Sequence, residues 1–222
     1  MLGRRKSKGP ESPPDGPTTY VIGDIHGCLR PLQRLLGKIA PQSGDEVVFI
    51  GDYIDRGPES RDVVEHLLAL PFRCVFLMGN HEKMLLDYLD GKDEGLFLAN
   101  GGLETIKSYG GHVANIPPTH LRFFRDLKPM YETAHFLFVH AGIRPLVPLE
   151  RQSLEDLVWI RQEFFQFIGR FPKPIVFGHT PLRQVLLAPD RIGIDTACVY
   201  GGKLTCITLP AREIIQVPGQ RR

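Results

Sequence analysis

At 222 residues the chain fits one domain, or a compact domain with a subdomain, and is long enough for a sizeable buried core. Hydrophobic residues at 42% and charged residues at 23% are ordinary globular values, and 23 glycines with 19 prolines indicate many turns rather than a fibre. A net charge of +2 and no apolar run near the ~18 residues that cross a bilayer argue against membrane insertion or a domain-wide field for nucleic acid, so neither partner is expected.

Met1 to Lys8 is cationic with no apolar segment behind it, which fails as a secretory signal. Cys28, Cys74, Cys198 and Cys206 are scattered without a CxxC pair, so reduced thiols and a cytoplasmic location are expected, not a thiolate zinc site or a disulfide framework. Residues 1–17 have almost nothing to bury and read as a disordered basic tail, with Arg4, Arg5, Lys6 and Lys8 solvating it. The remainder, residues 18–218, reads as one catalytic domain.

Within it, Thr18 to Ile22 predicts a strand, and Leu29 to Ile39 a helix with Leu32, Leu35, Leu36 and Ile39 on one face. The unit recurs as Glu46 to Ile50 with Ser60 to Leu70, and as Arg73 to Met78 with Glu82 to Leu89, which predicts a parallel sheet. Gly91 to Lys128 shows no strand and predicts a helical insertion, with helices over Leu103 to Tyr109 and Thr119 to Leu127. Strands are then expected at His135 to Val139, Ile175 to Phe177, Val185 to Ala188, Lys203 to Leu209 and Glu213 to Val217, forming a second, mixed or antiparallel sheet packed on the first. The fold class is α/β, two packed mixed β-sheets flanked by helices.

The residue types that carry chemistry cluster just beyond the strands. Tyr20 to Ile22 runs into Gly23-Asp24-Ile25-His26-Gly27, Val48 to Ile50 into Gly51-Asp52-Tyr53-Ile54-Asp55-Arg56-Gly57, and Phe76 to Met78 into Gly79-Asn80-His81-Glu82. Phe138-Val139-His140-Ala141-Gly142 and Val176-Phe177-Gly178-His179-Thr180 each end a later strand on a histidine. In open α/β sheets sites form beyond the carboxyl ends of strands, so Asp24, His26, Asp52, Asn80, His140 and His179 are candidate ligands. Asp, Asn and His without Cys suit manganese, iron or zinc better than calcium or a soft thiolate metal. If Asp52 bridges, two ions about 4 Å apart share a water or hydroxide, an arrangement suited to phosphoryl hydrolysis.

GDIHG, GDYIDRG and GNHE, in this order, resemble the three signatures of the phosphoprotein phosphatase family within the calcineurin-like metallophosphoesterases, and the two later histidine motifs complete the pattern. The resemblance spans about Thr18 to Val217. The chain looks most like bacterial and lambda-phage-like protein phosphatases and is similar to bacterial diadenosine tetraphosphate hydrolases. It implies Asp24, His26 and Asp52 as ligands of one divalent ion and Asp52, Asn80, His140 and His179 as ligands of a second, with manganese the expected metal and iron or zinc the alternatives. It implies His81 as general acid, oriented by Asp55, with Arg56 and Arg161 clamping phosphate oxygens beside Asn80. Direct attack by metal-bound hydroxide then needs no phosphoenzyme. Asp195-Thr196-Ala197 is similar to the family's Asp-Thr-Gly turn, with Ala197 in place of the usual glycine and Tyr200 just beyond it.

His66, His112, His120 and His135 lie outside the motifs and read as surface or satisfied core residues. Asp55 and Arg56 would be a weak surface ion pair if they stood alone, and Arg161 would be a snorkelling side chain. The expected function is hydrolysis of phosphoserine or phosphothreonine monoesters. The alternative is a dinucleoside polyphosphate hydrolase, and a noncatalytic binding module ranks below both because no ligand or acid position is substituted. Partners are a phosphoprotein or a small phosphorylated substrate, selected by Gly91 to Lys128 and Ile143 to Glu150, and the expected state is a monomer.

Overall fold

The computed structural model describes residues 17–220. The basic tail expected over residues 1–17 therefore lies, apart from Pro17, outside the described residues. Three βα units open the fold: β1 (Thr19–Ile22) and α1 (Leu29–Ile39), β2 (Glu46–Phe49) and α2 (Ser60–Leu68), β3 (Arg73–Phe76) and α3 (Asn80–Leu89). In α1 the buried Leu32, Leu35, Leu36 and Ile39 recur at helical spacing, so one stripe of the helix covers the sheet. The insertion is helical as expected, with α4 (Glu94–Phe97), α5 (Leu103–Ser108) and α6 (Pro118–Arg125). Then come β4 (Met130–Glu132), β5 (Leu137–Val139), α7 (Leu154–Trp159), α8 (Gln162–Gln166), β6 (Ile175–Phe177), β7 (Leu186–Leu187), β8 (Arg191–Gly193), β9 (Lys203–Leu209) and β10 (Ile214–Pro218).

The first sheet has the order β10-β9-β1-β2-β3, with β1, β2 and β3 parallel and β9 and β10 antiparallel. The second has the order β4-β5-β6-β8-β7, parallel through β5, β6 and β8 with antiparallel edges. Both are mixed, as expected, but β9 and β10 return to the first sheet rather than extending the second. There β9 pairs antiparallel with the free edge of β1, Ile207 and Leu209 joining the layer between the sheets and Leu204 and Cys206 facing the helices of the first. Two strands, β4 and β8, were not expected; Met130–Glu132 and Arg191–Gly193 carry no apolar run like those of β5 and β6.

Alternation along each strand builds four layers. Val47 and Phe49 pack outward on helices, while Val48 and Ile50 pack inward. Leu137 and Val139 face the α7–α8 side with Phe164, and Phe138 faces inward to Val176 and Ile192. All four cysteines are free thiols, and among the described residues no helix is long and apolar enough to cross a membrane.

The turn before β9 keeps a glycine-like backbone without glycine, since Ala197 has φ 61° and ψ 44°. A Cβ in the left-handed region costs about 1–2 kcal/mol, partly offset by the lower unfolded-state entropy of alanine. Ala197→Gly is expected to stabilise the protein by about 0.5–1 kcal/mol, raising Tm by roughly 1–4 °C in a thermal melt.

Candidate metal centre

The candidate side chains meet at one edge of the sandwich, beyond the ends of β1, β2, β3, β5 and β6. Reaching it bends the chain sharply. His26 (φ 48°), Asp52 (54°), Asp55 (70°), Arg56 (66°) and His179 (62°) all adopt left-handed backbone, which non-glycine residues hold only where surrounding structure enforces it. Part of that enforcement is the Asp52 carbonyl, which accepts the amides of Ile25 and His26 at 3.0 and 2.8 Å and so ties the first loop to the second. The helix expected from Glu82 begins two residues earlier, placing Asn80 and His81 in the first turn of α3.

Asp52 is the hub. Its Oδ2 lies 3.4 Å from His26 Nε2 and 3.9 Å from His81 Nε2, and its Oδ1 lies 3.4 Å from His140 Nε2. Two buried groups of donor atoms, His26 with Asp52 and His81, and Asp52 with His140 and His179, share its carboxylate. Asn80 Oδ1 joins the second at 3.0 Å from His140 Nε2 and 2.9 Å from His179 Nδ1. Asp24 sits beside them, accepting the His179 amide at 3.0 Å.

The donor chemistry fits divalent cations. His26 Nδ1 donates to the Ile54 carbonyl at 2.9 Å and His140 Nδ1 to the Ile50 carbonyl at 2.8 Å, so each Nε2 lone pair faces the Asp52 carboxylate. Acceptor facing acceptor is repulsive unless a cation lies between. Burial holds His26 and His140 below the ordinary imidazole range and His179 down to about 2, keeping all three neutral as ligands must be. Burial alone would raise Asp52, but His140, His81, His26 and His179 outweigh it and hold the carboxyl far below its usual value. Burial and the neighbouring acids raise Asp24 strongly, and burial pushes Asp195 up to about 6. Buried acids crowding neutral imidazoles make a site that is short of positive charge.

His81 is held apart from the other imidazoles in role. Its Nδ1 donates to Asp55 Oδ2 at 2.6 Å, while its Nε2 is buried with no hydrogen-bond partner and points toward Asp52. Arg56 Nη1 donates to His26 Nε2 at 2.6 Å, and Arg161, in the break between α7 and α8, donates from Nε to His179 Nε2 at 3.0 Å. The two guanidiniums thus stand at opposite ends of the ligand row. All ten expected site residues are brought together. His120 lies outside the centre, satisfied by the Tyr109 hydroxyl and Glu65, each at 2.8 Å.

Several contributors were not legible. Glu82 accepts the amides of Tyr53 (2.7 Å), Asp52 (2.9 Å), Gly79 (3.1 Å) and Ile54 (3.3 Å), clamping the second loop onto α3. Its place in the GNHE motif marked it, but the amides it gathers from the loop after β2 are a tertiary fact. Thr105, from the insertion, donates to Asp55 Oδ1 at 2.6 Å and accepts the Asp55 amide at 2.9 Å, beside Ser60. Thr105→Ala should therefore lose about 1–3 kcal/mol of stability by leaving buried Asp55 short of partners, whereas Thr105→Ser should retain most of it in denaturant titration.

A model of the calcineurin-like phosphoesterase family matches residues 17–212. The asymmetrical bis(5'-nucleosyl)-tetraphosphatases PrpE of Anoxybacillus flavithermus and Oceanobacillus iheyensis are each 27% identical, over 89% and 90% of this chain and 93% and 92% of theirs. A crystal structure provisionally named a diadenosine tetraphosphatase superposes with a TM-score of 0.75 at 29% identity, covering 95% of this chain and 97% of that one. A serine/threonine phosphatase from Saccharomyces cerevisiae shares the fold, with a TM-score of 0.65 at 16% identity, covering 94% of this chain and 81% of that one. The family's match runs through every strand-end motif that builds the centre, and the chain belongs to the calcineurin-like phosphoesterases, as a metal-dependent phosphoesterase.

Proposed function

We propose that the protein hydrolyses dinucleoside polyphosphates, cutting a bis(5'-nucleosyl) tetraphosphate into unequal halves. The observation that carries this reading is near full-length similarity, in both directions, to asymmetrical bis(5'-nucleosyl)-tetraphosphatases. It reverses the order of preference drawn from the motifs, which put phosphoprotein monoesters first.

In this reading Asp24, His26 and Asp52 hold one divalent ion, and Asp52, Asn80, His140 and His179 hold the other, with manganese favoured. When bound, such ions polarise phosphoryl oxygens and lower the pKa of water. The chain supplies the rest. Arg56 and Arg161 bind phosphate oxygens from the two ends of the row, where planar guanidiniums make paired contacts. Asp55 takes the Nδ1 proton of His81 in a hydrogen bond, so the proton that His81 delivers sits on Nε2, the buried nitrogen with no other partner. That proton reaches the oxygen of the departing group. The same pair supports phosphothreonine cleavage as a second reading, because an alkoxide leaves poorly without an acid.

Three outcomes test this. Manganese-loaded protein should cleave diadenosine tetraphosphate at least a hundredfold better in kcat/KM than a phosphothreonine peptide, about 2.7 kcal/mol of discrimination; preference for the peptide would restore the monoester reading. Asp52→Asn should lose manganese binding by calorimetry and about a thousandfold in rate. His81→Asn should keep manganese and lose more rate on the peptide than on the dinucleotide, whose phosphate leaving group needs less help; equal losses would remove His81 from the acid role.

A further inference from the structure

A cavity of about 330 Å³ opens beside Arg56, lined by Ala99, Asn100, Gly101, Glu104 and Tyr200. It adjoins the metal centre, because the Arg56 guanidinium that borders it also reaches His26. Part of its lining is Tyr200, a large aromatic side chain with 54% of its surface exposed. The Tyr200 ring is held there by its turn: Ala197 and Gly201, on either side, have φ 61° and 84°. The Arg56 carbon Cζ lies over the Tyr200 ring at 5.7 Å from its centroid, a cation–π contact that ties this aromatic side chain to the guanidinium beside the metal centre.

The floor comes from the insertion. The carbonyl of Gly101, a residue at φ 101°, accepts the Arg56 amide, and a Cβ there would press on Arg56 Cγ at 2.9 Å, so this glycine keeps the floor low and the arginine seated. Asn100 spends its Nδ2 on the Leu96 carbonyl, which leaves its Oδ1 as an acceptor, and the Glu104 carboxylate is a second acceptor, paired with Lys107 at 2.7 Å. Among the described residues, Arg56 is the lining's cation. Such a cavity repels a further phosphate or an acidic peptide and suits a flat, uncharged group that carries N–H or O–H donors.

We infer that this cavity is a nucleoside subsite, in which one base of a dinucleoside polyphosphate stacks on Tyr200 while Arg56 holds the phosphate attached to it. This rests on the reading proposed above. It gives the insertion the role of selecting a nucleotide, since Ala99, Asn100, Gly101 and Glu104 all belong to it.

The test uses manganese-loaded wild type, Tyr200→Ala and Tyr200→Phe. KM for diadenosine tetraphosphate is measured beside the inhibition constant of inorganic tetraphosphate, which has the phosphates without the bases. Stacking on one aromatic ring predicts that Tyr200→Ala raises the ratio of KM to that inhibition constant roughly tenfold or more, with kcat much less affected. Tyr200→Phe, which keeps the ring, should hold the wild-type ratio. If both constants rise together, Tyr200 serves only to position Arg56 and the subsite is overturned; if neither rises, it is overturned as well. Wild type that leaves the dinucleotide uncut overturns the dinucleotide reading itself, and the subsite with it.

Discussion

Glu82 is fully buried, and its carboxylate is satisfied by backbone amides from Asp52, Tyr53, Ile54 and Gly79. A buried acid left without such partners would be expensive, so the loop after β2 has to stay folded against the first turn of α3. Burial and the nearby Asp52 push Glu82 up to about 8 even so. That one clamp sets where Asp52 stands relative to Asn80 and His81, and the rest of the centre is arranged around Asp52. It also helps to hold the left-handed backbone at Asp52, whereas the Asp55 amide is held by Ser60 and Thr105.

The electrostatics of the centre derive from packing as much as from residue type. Imidazoles kept neutral by burial surround a carboxylate kept ionised, and Asp24 and Asp195 crowd the same volume. Arg56 meets His26 and Arg161 meets His179, so each guanidinium caps a different histidine of the centre.

The two sheets matter because each delivers ligands to the same edge. β1, β2 and β3 run parallel in one sheet and β5 and β6 in the other, and the apolar layer of Val21, Val48, Ile50, Phe138 and Val176 fixes one set of strand ends against the other. The insertion adds Thr105 behind Asp55 and Gly101 beneath Arg56, so a helical segment remote in sequence from the strand-end loops holds two of the residues those loops present.

The candidate ligands could be picked out because the strand-end motifs set glycine beside ligand-type residues, whereas Arg161 was named only through the family resemblance. The three βα units were legible too, since Leu32 to Ile39 recurs at helical spacing and each short apolar run before a helix reads as a buried strand, and α1 falls on the expected residues. The strands β4 and β8 were not, because Met130–Glu132 and Arg191–Gly193 lack the apolar run that marks β5 and β6, and the return of β9 and β10 to the first sheet depends on which neighbour offers a complementary edge. Which atoms can ligate, accept and donate is a property of residue type, and the chain order of the motifs already contained it. Packing was needed to bring the Glu82 carboxylate to the amides of the loop after β2, to carry Thr105 across fifty positions to Asp55, and to stand Tyr200 beside Arg56, because each contact joins segments whose separation along the chain leaves no local signal.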